Sequence, residues 1–155
     1  MRSCNTQGVV YQERVIVLVS LEKKMFLIPS RLSVYKDKIF VYFKLVGIPP
    51  DMKITSMYVN IPLIKAKESF VVDVREITSD WSPKDINKGD FPSRSKVKKI
   101  LKGLPNKTEL RIDVTEFKKK WRNDKKLNFG IYIKMKNKDI KYIENNPPYL
   151  IIDTI

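Results

Sequence analysis

TELRIDVTEFKKKWRNDKKLNFGIYIKM, residues 108–135, decides how this chain is read. Leu110, Ile112 and Val114 alternate with polar residues, which predicts a strand with one buried face. Val114, Phe117 and Trp121 then fall at i, i+3 and i+7. That spacing gathers three apolar groups on one side of about two helical turns. Asp113 or Thr115 can cap the segment, because a short side-chain oxygen satisfies a free N–H of the first turn. Asn123-Asp124 suits a turn. From Asn128-Phe129-Gly130 a second alternation opens, with Ile131, Ile133 and Met135 on one face. The stretch reads as strand, short helix closed by a tryptophan, strand.

The same frame stands forty residues earlier. Asp73-Val74-Arg75-Glu76-Ile77 followed by Trp81 matches Asp113-Val114-Thr115-Glu116-Phe117 followed by Trp121. These are the only two tryptophans. The match predicts two equivalent crossovers, each plugging one end of a β core with an indole. On that reading Trp81, Trp121, Asp73 and Asp113 are structural, and both aspartates cap a crossover.

Outward from this stretch the chain is a series of short strands. Lys38–Val46 is the clearest, with Ile39, Val41, Phe43 and Leu45 on one face and only Lys44 fully polar on the other. It should be central or covered on both faces. Gly47-Ile48-Pro49-Pro50-Asp51 is a rigid turn. Ile54–Leu63 is a strand whose end Pro62 demotes to an edge, and Phe70–Val74 leads into the first tryptophan unit. Residues 82–96 form the longest expected loop, and Val97–Leu101 fits either a strand or a helical turn. Tyr149–Ile152 is a closing strand, and Val9–Ser20 is one strand or two split near Gln12-Glu13. Residues 1–8 carry no pattern and are expected to be loose, leaving 9–155 as a single domain. Turn signals roughly every ten residues, with helices only at crossovers, predict an all-β antiparallel sandwich.

The composition excludes more chemistry than it offers. The chain has no histidine and one cysteine, Cys4. That removes the usual general base, every Ser-His or Cys-His pair, an internal disulfide and most zinc sites. No nucleophile elbow, Ser-x-x-Lys frame or glycine-rich phosphate loop occurs. An enzyme is the least favoured class, and no cofactor is expected. Asp85 and Asp90 are poor calcium ligands, because Lys84 and Lys88 stand beside them. Val15–Leu21 is apolar but far shorter than the about 18 residues of a membrane span. It resembles no signal-peptide core, and no cleavage site follows it.

Net charge is +14, mostly lysine, which favours an anionic partner such as a polysaccharide, another polyanion or an anionic surface. Lysine excess also arises from composition alone or from heat adaptation. The densest basic cluster is Lys118, Lys119, Lys120, Arg122, Lys125 and Lys126, expected as the solvated face of the short helix. Candidate exposed aromatics are Tyr42, Tyr58, Tyr132 and Tyr142. Tyr132 has Lys134 and Lys136 on its face, a combination suited to an acidic polymer. Shielding of cross-strand neighbours is the plainer role for any one of these tyrosines.

Four segments, in order, resemble the DNRLRE domain family. They are KIFVYFKLVGIPPDMKITSMYVNIPL from Lys38, DVREITSDW from Asp73, IDVTEFKKKW with NFGIYIK, and the closing Pro148-Tyr149-Leu150-Ile151-Ile152. The resemblance spans roughly residues 38 to 154. The family's Thr-Trp-Asn segment and its name-giving string have no counterpart here. The resemblance implies a jelly-roll sandwich similar to alginate-type carbohydrate-binding modules, in a secreted or cell-surface setting. The expected function is thus a non-catalytic carbohydrate-binding or surface module preferring anionic polymers. Two other readings stand beside it: a nucleic-acid-binding protein with a basic surface, and a structural or assembly domain of a cell or spore coat, joined to other domains or subunits. Without a visible signal, the sequence alone leaves a cytoplasmic location open.

Overall fold

The short strands pair into two antiparallel sheets packed face to face, an all-β sandwich. A computed structural model describes residues 9–12, 15–18, 23–136 and 140–155, the first two segments as backbone only. Residues 1–8, for which a loose terminus was expected, lie outside the described residues. In chain order the strands are β1 (Val9–Gln12), β2 (Val15–Leu18), β3 (Lys23–Leu27), β4 (Arg31–Tyr35), β5 (Lys38–Tyr42), β6 (Ile54–Pro62) and β7 (Phe70–Ile77). After helix α1 (Pro83–Asn87) come β8 (Arg94–Gly103) and β9 (Glu109–Asp113). A 3-10 turn (Thr115–Phe117), α2 (Lys118–Asn123) and a second 3-10 turn (Lys125–Leu127) lead to β10 (Ile131–Met135). Helix α3 (Tyr142–Asn145) and β11 (Tyr149–Thr154) complete the described chain.

One sheet has the order β4-β5-β10-β7-β8, the other β3-β11-β6-β9, and β1 pairs only with β2. The main core lies between the two large sheets. It holds Ile39, Val41 and Phe43 from β5 and its extension, Ile131, Ile133 and Met135 from β10, and Met57, Val59 and Ile61 from β6. Full burial of each such side chain contributes about 1.5–3 kcal/mol, which is why a period-two apolar pattern fixes strand register here.

The stretch 108–135 is a crossover between sheets: β9 belongs to the four-stranded sheet and β10 to the five-stranded one. Its residues account for the geometry. The Val114 N–H donates to the Met57 carbonyl at 2.9 Å, and the Thr115 hydroxyl accepts from the Met57 N–H at 3.0 Å. These bonds extend the β6–β9 ladder by one step before the chain turns. Phe117 stacks on the buried Trp121 at 5.5 Å, and Trp121 closes the main core.

At the far end, the Asn128 carboxamide donates to the Phe43 carbonyl at 2.9 Å and accepts from the Gly130 N–H at 3.1 Å. Asn128 is buried, so both halves of its amide need a partner, and both have one. Gly130 has φ +89°, and a Cβ there would lie 2.1 Å from the Val41 carbonyl oxygen. Only glycine lets β10 approach β5 this closely.

Three expectations are corrected. The two tryptophan frames are not equivalent. Residues 73–77 continue as strand β7, because they pair with both β10 and β8, whereas the chain leaves the sheet at Asp113. Trp81 therefore reaches the outer face of the five-stranded sheet, while Trp121 sits between the sheets. Pro62 does not mark an edge strand, because β6 lies between β11 and β9 and Pro62 is only its last residue. Residues 82–96 are not a plain loop. Ser82 accepts from the Asp85 N–H and starts α1, Pro83 is its first residue, and β8 begins at Arg94. The ambiguous Val97–Leu101 lies within that ten-residue strand.

Gly130→Ala should cost about 3 kcal/mol or more, combining a left-handed φ with a backbone clash. Gly47, at φ +76° with nothing near its Cβ position, should cost about 1 kcal/mol on the same change. Urea unfolding of the two variants tests this. Equal losses would refute the close approach at Gly130.

Candidate functional site

The outer face of the five-stranded sheet is divided into a covered half and an open half. The covered half is a second apolar cluster of Phe40, Ile77, Trp81, Ile86 and Tyr132, with Tyr35, Tyr42, Phe91 and Phe129 around it. Ile86 brings α1 down onto the sheet. Phe40 lies 5.4 Å from Phe91, 5.3 Å from Tyr132 and 6.0 Å from Trp81, spacings that suit offset and tilted aromatic pairs. The Trp81 indole N–H donates to the Phe129 carbonyl at 2.8 Å. Arg31 seals the margin, 4.5 Å over the Tyr42 ring and bonded to Asp80 at 3.1 Å.

Tyr132 is thus a correction. Alternation places it on the outer face as expected, but α1 and its flanking loop cover that part of the face, and it is only 3% exposed. Arg94 lies 4.4 Å over its ring. Burial pushes its phenol above the usual value, against the lowering effect of Arg94 and Lys38. Its ring is not a stacking platform.

The open half begins one row further along the strands. The register places Tyr132 opposite Arg75 and Arg75 opposite Lys98. In the next row Lys38, Lys134, Asp73 and Ile100 stand side by side, and beyond them Val71 faces Lys102. Lys136, one residue past the end of β10, is exposed. Val71 and Ile100 are 61% and 55% exposed, so apolar side chains stand among the cations.

Among the described residues two carboxylates lie on or beside this face, and each is engaged. Asp73 bonds Arg75 at 3.3 Å within its own strand. Its expected capping role is overturned, because it stands mid-strand. Asp37 bonds Lys38 at 3.0 Å. Partial burial pushes the Asp37 carboxyl up, but the hydrogen bond and charge of Lys38, a backbone hydrogen bond and the charge of Lys134 together hold it below the usual value. Among the described residues, Lys98, Lys102, Lys134 and Lys136 have no carboxylate within ion-pair distance. Lys38 stands directly opposite Lys134, and both act on the Asp37 carboxylate.

The remaining candidates do not join this face. Tyr42 is on the covered half beneath Arg31. Tyr58 is on β6 of the other sheet, with Arg111 at 5.7 Å from its ring, and Tyr142 opens α3. The basic cluster is not one solvated face. Lys120 pairs with Glu76 at 3.0 Å, Lys118 and Arg122 bond backbone carbonyls, and Lys125 and Lys126 belong to the second 3-10 turn. Asp85 and Asp90 belong to α1 and the turn after it, and among the described residues no group of acidic, cysteine or histidine side chains is placed to hold a metal ion. No described helix is long and apolar enough to cross a membrane.

Sequence reasoning missed Arg75, Lys98 and Lys102. The signal was the alternation Lys98, Ile100, Lys102 inside β8, which is obscured because Ile100 faces outward and Lys99 inward. Lys99 reaches under the sheet to the Asp113 carbonyl at 2.6 Å and to Glu116.

No family model matches the chain, and no curated protein matches its sequence. The chemistry of the face follows from its residues alone: a flat, cationic and partly apolar surface with its aromatic rings turned under a lid.

Asp113 does not cap a helix: the residue at the cap position of the 3-10 turn is Val114, with no side-chain cap bond, and the Asp113 carboxylate instead accepts from the Thr115 N–H at 2.9 Å in a local turn that leads into it. Partial burial pushes its carboxyl up, but the Thr115 hydrogen bonds and Lys99 together hold it below the usual value. A depressed carboxylate contributes stability above its unfolded pKa, about 3.9, and loses it as pH falls through the folded value. The stability gap between the native chain and Asp113→Ala should be constant above about pH 5 and narrow below about pH 4. Urea midpoints across pH 2–7 check this, and a gap unchanged at pH 2 would contradict it.

Proposed function

We propose that the chain is a non-catalytic β-sandwich module that holds an acidic polysaccharide across the open half of its five-stranded sheet. The observation that carries this reading is the set Lys98, Lys102 and Lys134, outside the ion pairs of the described residues and interleaved with exposed Val71 and Ile100, with exposed Lys136 just past the end of β10. Strands about 4.8 Å apart put β10 and β8 about 10 Å apart, so cations recur along an extended chain lying across them. The lysines suit carboxylates, and the valine and isoleucine suit the apolar face of a sugar ring. The net charge of +14 and the absence of histidine favour the same reading over catalysis. The resemblance to the DNRLRE domain adds an expected setting outside the cell or at its surface.

Nucleic acid draws on the same charges but finds less on this face. Its aromatic rings lie under α1 and Arg94, so bases have no platform for stacking. Helix α2 is six residues long, too short to serve as a recognition helix in a major groove.

Lys98→Glu/Lys134→Glu should fold normally and bind a polyuronate about tenfold more weakly, a loss of about 1.4 kcal/mol. Binding should weaken with added salt, since it rests on charge, yet persist against competing DNA at moderate salt. Affinity electrophoresis of both proteins in polyuronate, neutral glucan and DNA checks this. Unchanged affinity in the double variant, or equal and salt-erased binding to every polyanion, would contradict it.

A further inference from the structure

The geometry points to a second, discrete anion site in the cleft between α2 and the segment that leads into β6, one that takes a dianionic oxyanion of the phosphate monoester class. The cleft has a volume of about 230 Å³ and is lined by Pro50, Lys53, Ile54, Lys118, Lys119 and Arg122. It shares no lining residue with the sheet face, so it stands apart from the reading above. Its volume is below the usual range of about 300–1,000 Å³ for drug-sized ligands, which suits one small charged group.

Four cations line this cleft and no carboxylate does. Six ion pairs form elsewhere among the described residues, and none involves Lys53, Lys118, Lys119 or Arg122. Two of the four are held in place by neutral groups. The Arg122 guanidinium donates to the Pro49 carbonyl at 2.6 Å and to the Met52 carbonyl, and the Lys118 ammonium donates to the Ile54 carbonyl at 3.3 Å. Carbonyl bonds fix these side chains without neutralising their charge. Their rotamer entropy is lost on folding rather than on binding, so a ligand meets a preorganised positive field. Lys53 and Lys119 are exposed and free to close on the ligand. Four positive charges around one small cleft repel one another, and a dianion relieves more of that repulsion than a monoanion.

Calorimetric titration of the whole chain with methyl phosphate, sulfate and acetate tests the site. Methyl phosphate should bind saturably at one site at pH 7.5. It should bind about tenfold more weakly at pH 5, where it is mostly the monoanion, given a second pKa of about 6. Sulfate keeps its charge over this range, so its binding should not change, which separates ligand ionisation from any titration of the protein. Lys53→Ala/Lys119→Ala, which touches neither carbonyl-bound cation, should lose at least about tenfold in affinity for methyl phosphate. Lys98→Ala/Lys134→Ala on the sheet face should lose none. Non-saturable binding, acetate binding as tightly as methyl phosphate, or a Lys53→Ala/Lys119→Ala variant with native affinity would each overturn the site.

Discussion

The three residues Asn128-Phe129-Gly130 hold β10 in register against β5 and tie the aromatic cover to the five-stranded sheet. Asn128 ties the entry of β10 to the Phe43 carbonyl, and Gly130 lets β10 lie against Val41. Phe129 supplies the carbonyl that receives the Trp81 indole N–H. One tripeptide thus fixes β10 against β5 on the core side and anchors the aromatic lid on the outer side. A shift of one residue here would put Tyr132 and Lys134 in the core in place of Ile133 and Met135, because side chains alternate with a period of two. The position of every lysine on β10 depends on that register.

The lid explains why charge gathers where it does. Phe40, Tyr132 and Trp81 occupy the first rows of the outer face and exclude water there. The rows beyond are open and carry lysines whose long stems lie over the sheet while their ammonium groups stay solvated. The same side chains protect the sheet. Among the described residues strand β8 is a ten-residue edge with only β7 beside it, and lysines along such an edge discourage pairing with another chain. Edge protection and the proposed anion binding therefore draw on one set of residues, and the exposed Val71 and Ile100 are what edge protection alone does not call for.

Much of the fold was legible because alternation and capping are local. The buried series Ile39, Val41, Phe43 and the unit from Leu110 to Met135 were read correctly from period and turn chemistry. Of the motif residues, only Asp113 bonds locally, to the Thr115 N–H, whereas Val114 and Thr115 are tied to Met57 on β6, a partner that no local pattern shows. The frame Asp73 to Trp81 misled because sequence offsets do not show which strands lie alongside: β10 and β8 pair with residues 73–77 and keep them extended. Tyr132 misled for a related reason. Its face was legible, but the cover over that face comes from α1 and Phe91, some forty residues away in sequence. The candidate face was legible only in part: Lys134 was named with the strand that carries it, while the alternation of Lys98, Ile100 and Lys102 was visible but its pairing beside β7 was not.

The most direct test of the account is to map an acidic oligosaccharide onto the protein by amide NMR. The account predicts that shift changes during titration concentrate at Val71, Arg75, Lys98, Ile100, Lys102 and Lys134, with little change at Tyr58 or Tyr142 on other surfaces. Changes centred on those other surfaces, or scattered evenly over all lysines, would contradict it.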